Sequence, residues 1–149
     1  IGRLQKNKVH KAVELFDVIE SVDSVPLATR IDRIAFEEGY PLRILLQVNV
    51  GDDPAKAGFS ADALRNALPQ LAKLQYVCIA GLMTIGRQGA STAQTQADFA
   101  RLAALHREIR AQAVFGDDFR ELSMGMSQDY PLALQAGATM VRIGSALFA

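Results

Sequence analysis

Residues 121–148 read ELSMGMSQDYPLALQAGATMVRIGSALF, and the spacing inside this stretch decides the fold. A short apolar strand at 121–124 leads into a turn holding Gly125 and Ser127. An apolar-striped helical segment follows, and a second strand at 139–143 ends on Gly144-Ser145. Strand, helix, strand at this spacing is a βαβ crossover, which makes the two strands parallel. Both strands end on small residues that let backbone N–H groups approach a ligand, and Arg142 precedes the second such end. Two N–H-rich turns and an arginine at the C-terminal ends of parallel strands form a candidate phosphate cradle. In (β/α)8 barrels the phosphate site lies in this place, in the loops after the last two strands.

Upstream, the same alternation repeats. Val9, Ala12, Val13 and Phe16 keep helical spacing, residues 17–22 form a short strand, and Ser24 caps a helix with Pro26 in its first turn. Leu27, Ile31 and Ile34 are that helix's stripe, and Gly39 stops it. Residues 42–50 (LRILLQVNV) are the clearest strand. Arg43, Leu45, Gln47 and Asn49 share one face, while Ile44, Leu46, Val48 and Val50 share the other. The apolar face is expected under the covering helices. The face with Gln47 and Asn49 is expected to point into the barrel lumen, with Asn49 at the ligand-binding end.

Ser60 is a candidate cap for a helix with Leu64, Leu68 and Leu71 on one stripe, which Pro69 is expected to kink or divide. Residues 76–84 are the next strand, with Gly81 and Met83 on one face near its end. Phe99, Leu102, Leu105 and Ile109 then stripe a long helix. Counting residues 1–5 as a strand tail gives about six strands, two short of a closed eight-stranded barrel. An open doubly wound sheet also takes six strands, but no GxGxxG turn follows the first one. One partial barrel domain over 1–149, lacking its first two units, fits the abrupt start at Ile1 better.

Composition narrows the function classes. Half of the 149 residues are hydrophobic, and 16 basic side chains balance 16 acidic ones, which gives no reason to expect nucleic acid or an acidic membrane surface as partner. No apolar run reaches the length of a membrane span and no signal peptide is seen, so a soluble cytoplasmic protein is expected. The single cysteine, Cys78, excludes an internal disulfide and reads as an inert thiol. His10 and His106 have no second histidine or cysteine at metal spacing and read as ordinary surface or edge residues, with no metal site expected. Asp52-Asp53 reads as turn chemistry.

In order along the chain stand IGRLQKNK (1–8), LQVNVGDDPAKAGF (46–59), GLMTI (81–85), LSMGMSQDY (122–130) and GATMVRIGSALF (137–148). As a set they resemble the pyridoxal phosphate homeostasis protein family, whose fold is that of the alanine racemase N-terminal domain. The resemblance implies a (β/α)8 barrel of that type, present here as about six of its eight units, holding pyridoxal 5′-phosphate as an aldimine on a lysine at the end of the first strand. It implies that Ser127, Gly144 and Ser145 bind the phosphate, that Arg142 lies near the pyridine nitrogen or the phosphate, and that Asn49 and Met83 line the pocket at strand ends. Lys56 also matches a family position.

Such proteins carry or buffer the cofactor, with no established turnover and so no catalytic residue implied. A racemase or decarboxylase of the same barrel family is the alternative, and a barrel enzyme acting on another phosphorylated small molecule is a third reading. The segment that holds the aldimine lysine in the family is not in this sequence. The lysines here are Lys6, Lys8, Lys11, Lys56 and Lys73, and none is expected opposite the cradle.

Overall fold

The computed structural model describes residues 2–51, 53 and 56–148. Ile1 of the expected opening strand, and Asp52, Pro54 and Ala55 of the turn after the second, lie outside the described residues. Five strands, β1 (Val18–Val22), β2 (Leu42–Gln47), β3 (Val77–Met83), β4 (Glu121–Met126) and β5 (Met140–Arg142), alternate with helices. The helices are α1 (Val9–Leu15), α2 (Val25–Glu38), α3 (Ala61–Leu71), α4 (Thr92–Ala111) and α5 (Tyr130–Gln135). The sheet order is β1-β2-β3-β4-β5, every neighbouring pair is parallel, and the result is half of a barrel. No helix of the described residues is long and apolar enough to cross a membrane.

Local chemistry sets the helix ends. Ser60 Oγ accepts from the Ala63 amide at 3.1 Å, and α4 opens on a reciprocal box between Ser91 and Gln94. Gly39 closes α2 at φ +79, a left-handed position that suits glycine. The α3 helix is not divided at Pro69 and ends two residues later at Leu71. Asp32, on α2, takes three backbone N–H groups on one oxygen, from Gln75, Tyr76 and Val77 at 2.9, 2.6 and 3.1 Å. This fixes the entry of β3 against α2.

The two faces of β2 separate as its alternation requires. Leu42, Ile44, Leu46 and Val48 join the large core beneath the helices, while Leu45 joins Ala80 and Met83 on the concave face. The β3 strand departs from simple alternation. Its register against β2 runs Ile44↔Ile79 and then Leu45↔Gly81, so Ala80 is an extra residue. The bulge resets the phase: Ile79 and Leu82 face the helices, Ala80 and Met83 the lumen.

The opening strand is not formed over the described part of 1–5. Gly2 sits at φ +106, Arg3 pairs with Asp23 at 3.5 Å, and Gln5 already caps a 3-10 turn at Lys6–Lys8. Three residues between a left-handed glycine and a helical turn are too few to build a ladder. His106 also differs from expectation. It is 6% exposed and stacks on Phe119 at a centroid distance of 4.8 Å, and its Nε2 finds no partner among the described residues.

Two predictions follow from these packing facts. A Cβ on Gly81 would be driven into the backbone carbonyl of Glu121 on β4, which cannot yield without breaking the β3–β4 ladder. Gly81→Ala should lower the unfolding free energy by about 3 kcal/mol or more, read from urea denaturation; an unchanged midpoint would mean the ladder gives way freely. Burial first, then Arg110 and Arg107, push the His106 pKa below its ordinary 6.5. The unfolded chain therefore binds the extra proton more readily, so this stability is whole above pH ~6.5 and is lost as pH falls below it. His106→Leu should flatten that part of the urea-midpoint profile between about pH 7 and 5.

Candidate functional site

The C-terminal ends of the strands converge on one rim and are sewn together there. Val48 N–H donates to Met83 O at 2.8 Å, and Thr84 N–H to Ser123 O at 3.0 Å. The Thr84 hydroxyl donates to Val48 O at 2.7 Å. This ties the ends of β2, β3 and β4 through one residue that is 1% exposed.

Arg142, at the end of β5, completes the stitching. Its side chain is 7% exposed. Nη1 donates to Ser123 Oγ at 2.6 Å and Nη2 to Thr84 O at 2.7 Å, while Nε is buried without a partner among the described residues. Ser123 Oγ in turn donates to Glu20 Oε2 at 2.6 Å, and that carboxylate oxygen lies 3.7 Å from Nη1. Burial lowers the guanidinium pKa, and Glu20 and Asp129 act against that loss. Arg142, Glu20 and Met83 line a cavity of about 330 Å³ that also reaches Ala12 of α1 and Ile19 of β1.

Ser127 and Gly144 stand together, as the sequence pairs them: the Gly144 amide donates to Ser127 Oγ at 3.2 Å. Gly144 also precedes the 3-10 turn Ser145–Leu147, and both Gly144 and Ser145 are exposed. Nothing lies within 4 Å of the place a Gly144 Cβ would take, which leaves that backbone open to a ligand. Gly125, at φ +93, lets the turn after β4 pass close to α5; a Cβ there would meet the Ala133 Cβ at 2.5 Å.

Asn49 lines a larger cavity of about 600 Å³ with Gln47 and Lys56, but its amide is engaged. Nδ2 donates to Asp53 O at 2.8 Å and Oδ1 accepts from Asp53 N at 3.2 Å, so the side chain folds the loop after β2. Lys56 Nζ donates to the carbonyls of Ile85 and Gly86. Lys6, Lys8, Lys11 and Lys73 are exposed. Met83 is fully buried in the lumenal cluster with Leu45 and Ala80.

Glu20 and Ser123 belong to this site, and the sequence reading missed them. The available signals were the one carboxylate inside VIESV (18–22) and the one hydroxyl inside ELSMG (121–125).

Residues 1–149 match the family described as alanine racemase, N-terminal domain. A pyridoxal phosphate homeostasis protein from Synechocystis sp. is 45% identical over 148 residues, covering 99% of this chain and 67% of that protein. One of the same name from Haemophilus influenzae is 32% identical over 99% of this chain and 62% of its own length. The chain thus spans about two thirds of the length of these relatives. Among solved structures, PipY of Synechococcus elongatus without PLP superposes with a TM-score of 0.95 at 50% identity, covering 100% of this chain and 69% of that one. PipY with PLP bound gives a TM-score of 0.90 at 47% identity, covering 100% and 68%. With the half-barrel, the strand-end motifs and these likenesses in agreement, the chain belongs to the pyridoxal phosphate homeostasis protein family, on the fold of the alanine racemase N-terminal domain.

Proposed function

We propose that this chain supplies the phosphate- and ring-binding side of a pyridoxal 5′-phosphate site, in a protein that carries and buffers the cofactor inside the cell. The observation that carries the reading is the buried Nε–H of Arg142, a charged donor without a partner among the described residues, on the strand that ends in the Ser127–Gly144–Ser145 cradle. Leaving such a donor unsatisfied is unfavourable by an amount on the order of 1–3 kcal/mol, which a ligand acceptor would recover. PipY, at 47% identity, is a relative solved with PLP bound.

The residues present fit the group. Pyridoxal phosphate, when bound, supplies an aldehyde and an electron-accepting ring. The Ser127 hydroxyl and the Ser145 N–H would hold the dianionic phosphate, as donors at strand-end turns do, with Gly144 giving its own amide to Ser127 Oγ and leaving room for the ligand. Arg142 would donate a charge-assisted hydrogen bond to an acceptor atom of the ligand. Met83 and Leu45 close the lumen beneath with apolar surface and keep water out. Asn49 acts one step back, by holding the loop after β2 through its two hydrogen bonds to Asp53. Among the lysines, four are exposed and Lys56 is spent on two carbonyls, so retention by this chain rests on phosphate and ring contacts.

Arg142→Ala should weaken retention of pyridoxal 5′-phosphate by about 1–3 kcal/mol in equilibrium dialysis, as for the loss of one charge-assisted hydrogen bond. Borohydride reduction of the loaded chain should spread low labelling over several lysines. Unchanged retention in the variant would remove Arg142 from the site, and stoichiometric labelling of one lysine would relocate the anchor.

A further inference from the structure

We propose that Glu20 and Ser123 are positioning residues for Arg142, a carboxylate–hydroxyl–guanidinium relay that aims the arginine at the ligand. The assignment rests on the cofactor reading above and names two residues which that reading leaves without a role.

The relay is directional. A serine hydroxyl has one proton to give, and Ser123 gives it to Glu20 Oε2 at 2.6 Å. Its lone pairs are thereby turned toward Arg142, whose Nη1 donates to the same oxygen at 2.6 Å. Ser123 is fully buried, so no water competes for the hydroxyl. Thr84 O holds the other terminal nitrogen at 2.7 Å, and the planar guanidinium is then fixed at two points. With both terminal nitrogens engaged, the buried Nε–H is the donor left without a protein partner among the described residues.

Glu20 also supplies the charge that a guanidinium with 7% exposure needs, at 3.7 Å. It does so from the far edge of the sheet. Glu20 lies on β1 and Arg142 on β5, the outermost strands in the order β1-β2-β3-β4-β5, so the contact spans the hollow. A pair on one strand, or on neighbouring strands, would follow from ordinary sheet pairing. A pair across the lumen holds one side chain over the hollow at the C-terminal ends of the strands, where ligands of such barrels bind.

The test uses the whole chain with pyridoxal 5′-phosphate as probe and reads two quantities. The Arg142 Nε–H resonance is identified in a ¹H–¹⁵N spectrum by its loss in Arg142→Lys, and its exchange with solvent is measured without ligand. The dissociation constant is measured separately. Glu20→Ala and Ser123→Ala should each speed Nε–H exchange and raise the dissociation constant, both by about tenfold. Glu20→Gln, which keeps an acceptor for the Ser123 hydroxyl, should restore most of the exchange protection. A role confined to stability would lower the melting temperature and leave Nε–H exchange in the folded chain as it is; that result overturns the relay. Should Ser123→Ala fail to fold, Glu20→Ala and Glu20→Gln decide the matter together. If the exchange responds as expected while Arg142→Lys leaves cofactor binding intact, the relay stands and the cofactor reading falls.

Discussion

A guanidinium placed inside a protein has to be surrounded by acceptors, and much of this half-barrel's rim is arranged to meet that demand. Arg142 reaches from β5 to the backbone at the end of β3, to a hydroxyl on β4 and, beyond it, to a carboxylate on β1. Each acceptor is held by something else: Thr84 by Val48 and Ser123, and Ser123 by Glu20. The sheet's ladders alone would leave the strand ends free to splay, because parallel strands joined through helices have no hairpin turn to hold them. One buried charge makes their convergence the favourable arrangement.

The loops beyond the rim are held in the same manner. Asp98 of α4 is 3% exposed and takes both Nε and Nη2 of Arg87 at 2.9 and 3.1 Å. Arg87 lies in the loop after β3 and packs so closely on Gly51, in the loop after β2, that a Cβ there would stand 2.7 Å from its Cδ. Asn49 folds the first of these loops from within. A binding mouth built on loops gains definition when their positions are set by buried pairs of this kind.

Most of the architecture was legible in the sequence, because it follows from spacing. Parallel order follows from strand–helix alternation, the two faces of β2 from period two, the end of α2 from Gly39 and the start of α3 from Ser60, whereas the Ser24 hydroxyl, expected to cap α2, is given to Asp23 instead. Arg142 was legible as inward-facing from its apolar neighbours, and Ser127 and Gly144 as strand-end partners. What was not legible depends on contacts between distant segments. The phase reset in β3 lies in its pairing with β2, between Ile44↔Ile79 and Leu45↔Gly81, which local alternation cannot register. Ser123 and Glu20 are 103 residues apart. His106 looked like an edge residue because its burial depends on Phe119 arriving from the next crossover. Over the described part of 1–5 no strand forms for a local reason, a left-handed Gly2 only three residues ahead of a helical turn.

The three amides gathered on Asp32 have a consequence for how the molecule opens. A strand's first N–H groups are usually the first to exchange with solvent, since few ladder bonds protect them. Here the amides of Gln75, Tyr76 and Val77 are closed by a side chain of α2, across 43 to 45 residues of sequence. Fraying of β3 at its entry therefore requires α2 to move as well. The β3 entry and α2 thus form one cooperative unit, and the central strand carrying the bulge at Ala80 and Met83 is anchored at the end opposite the ligand rim.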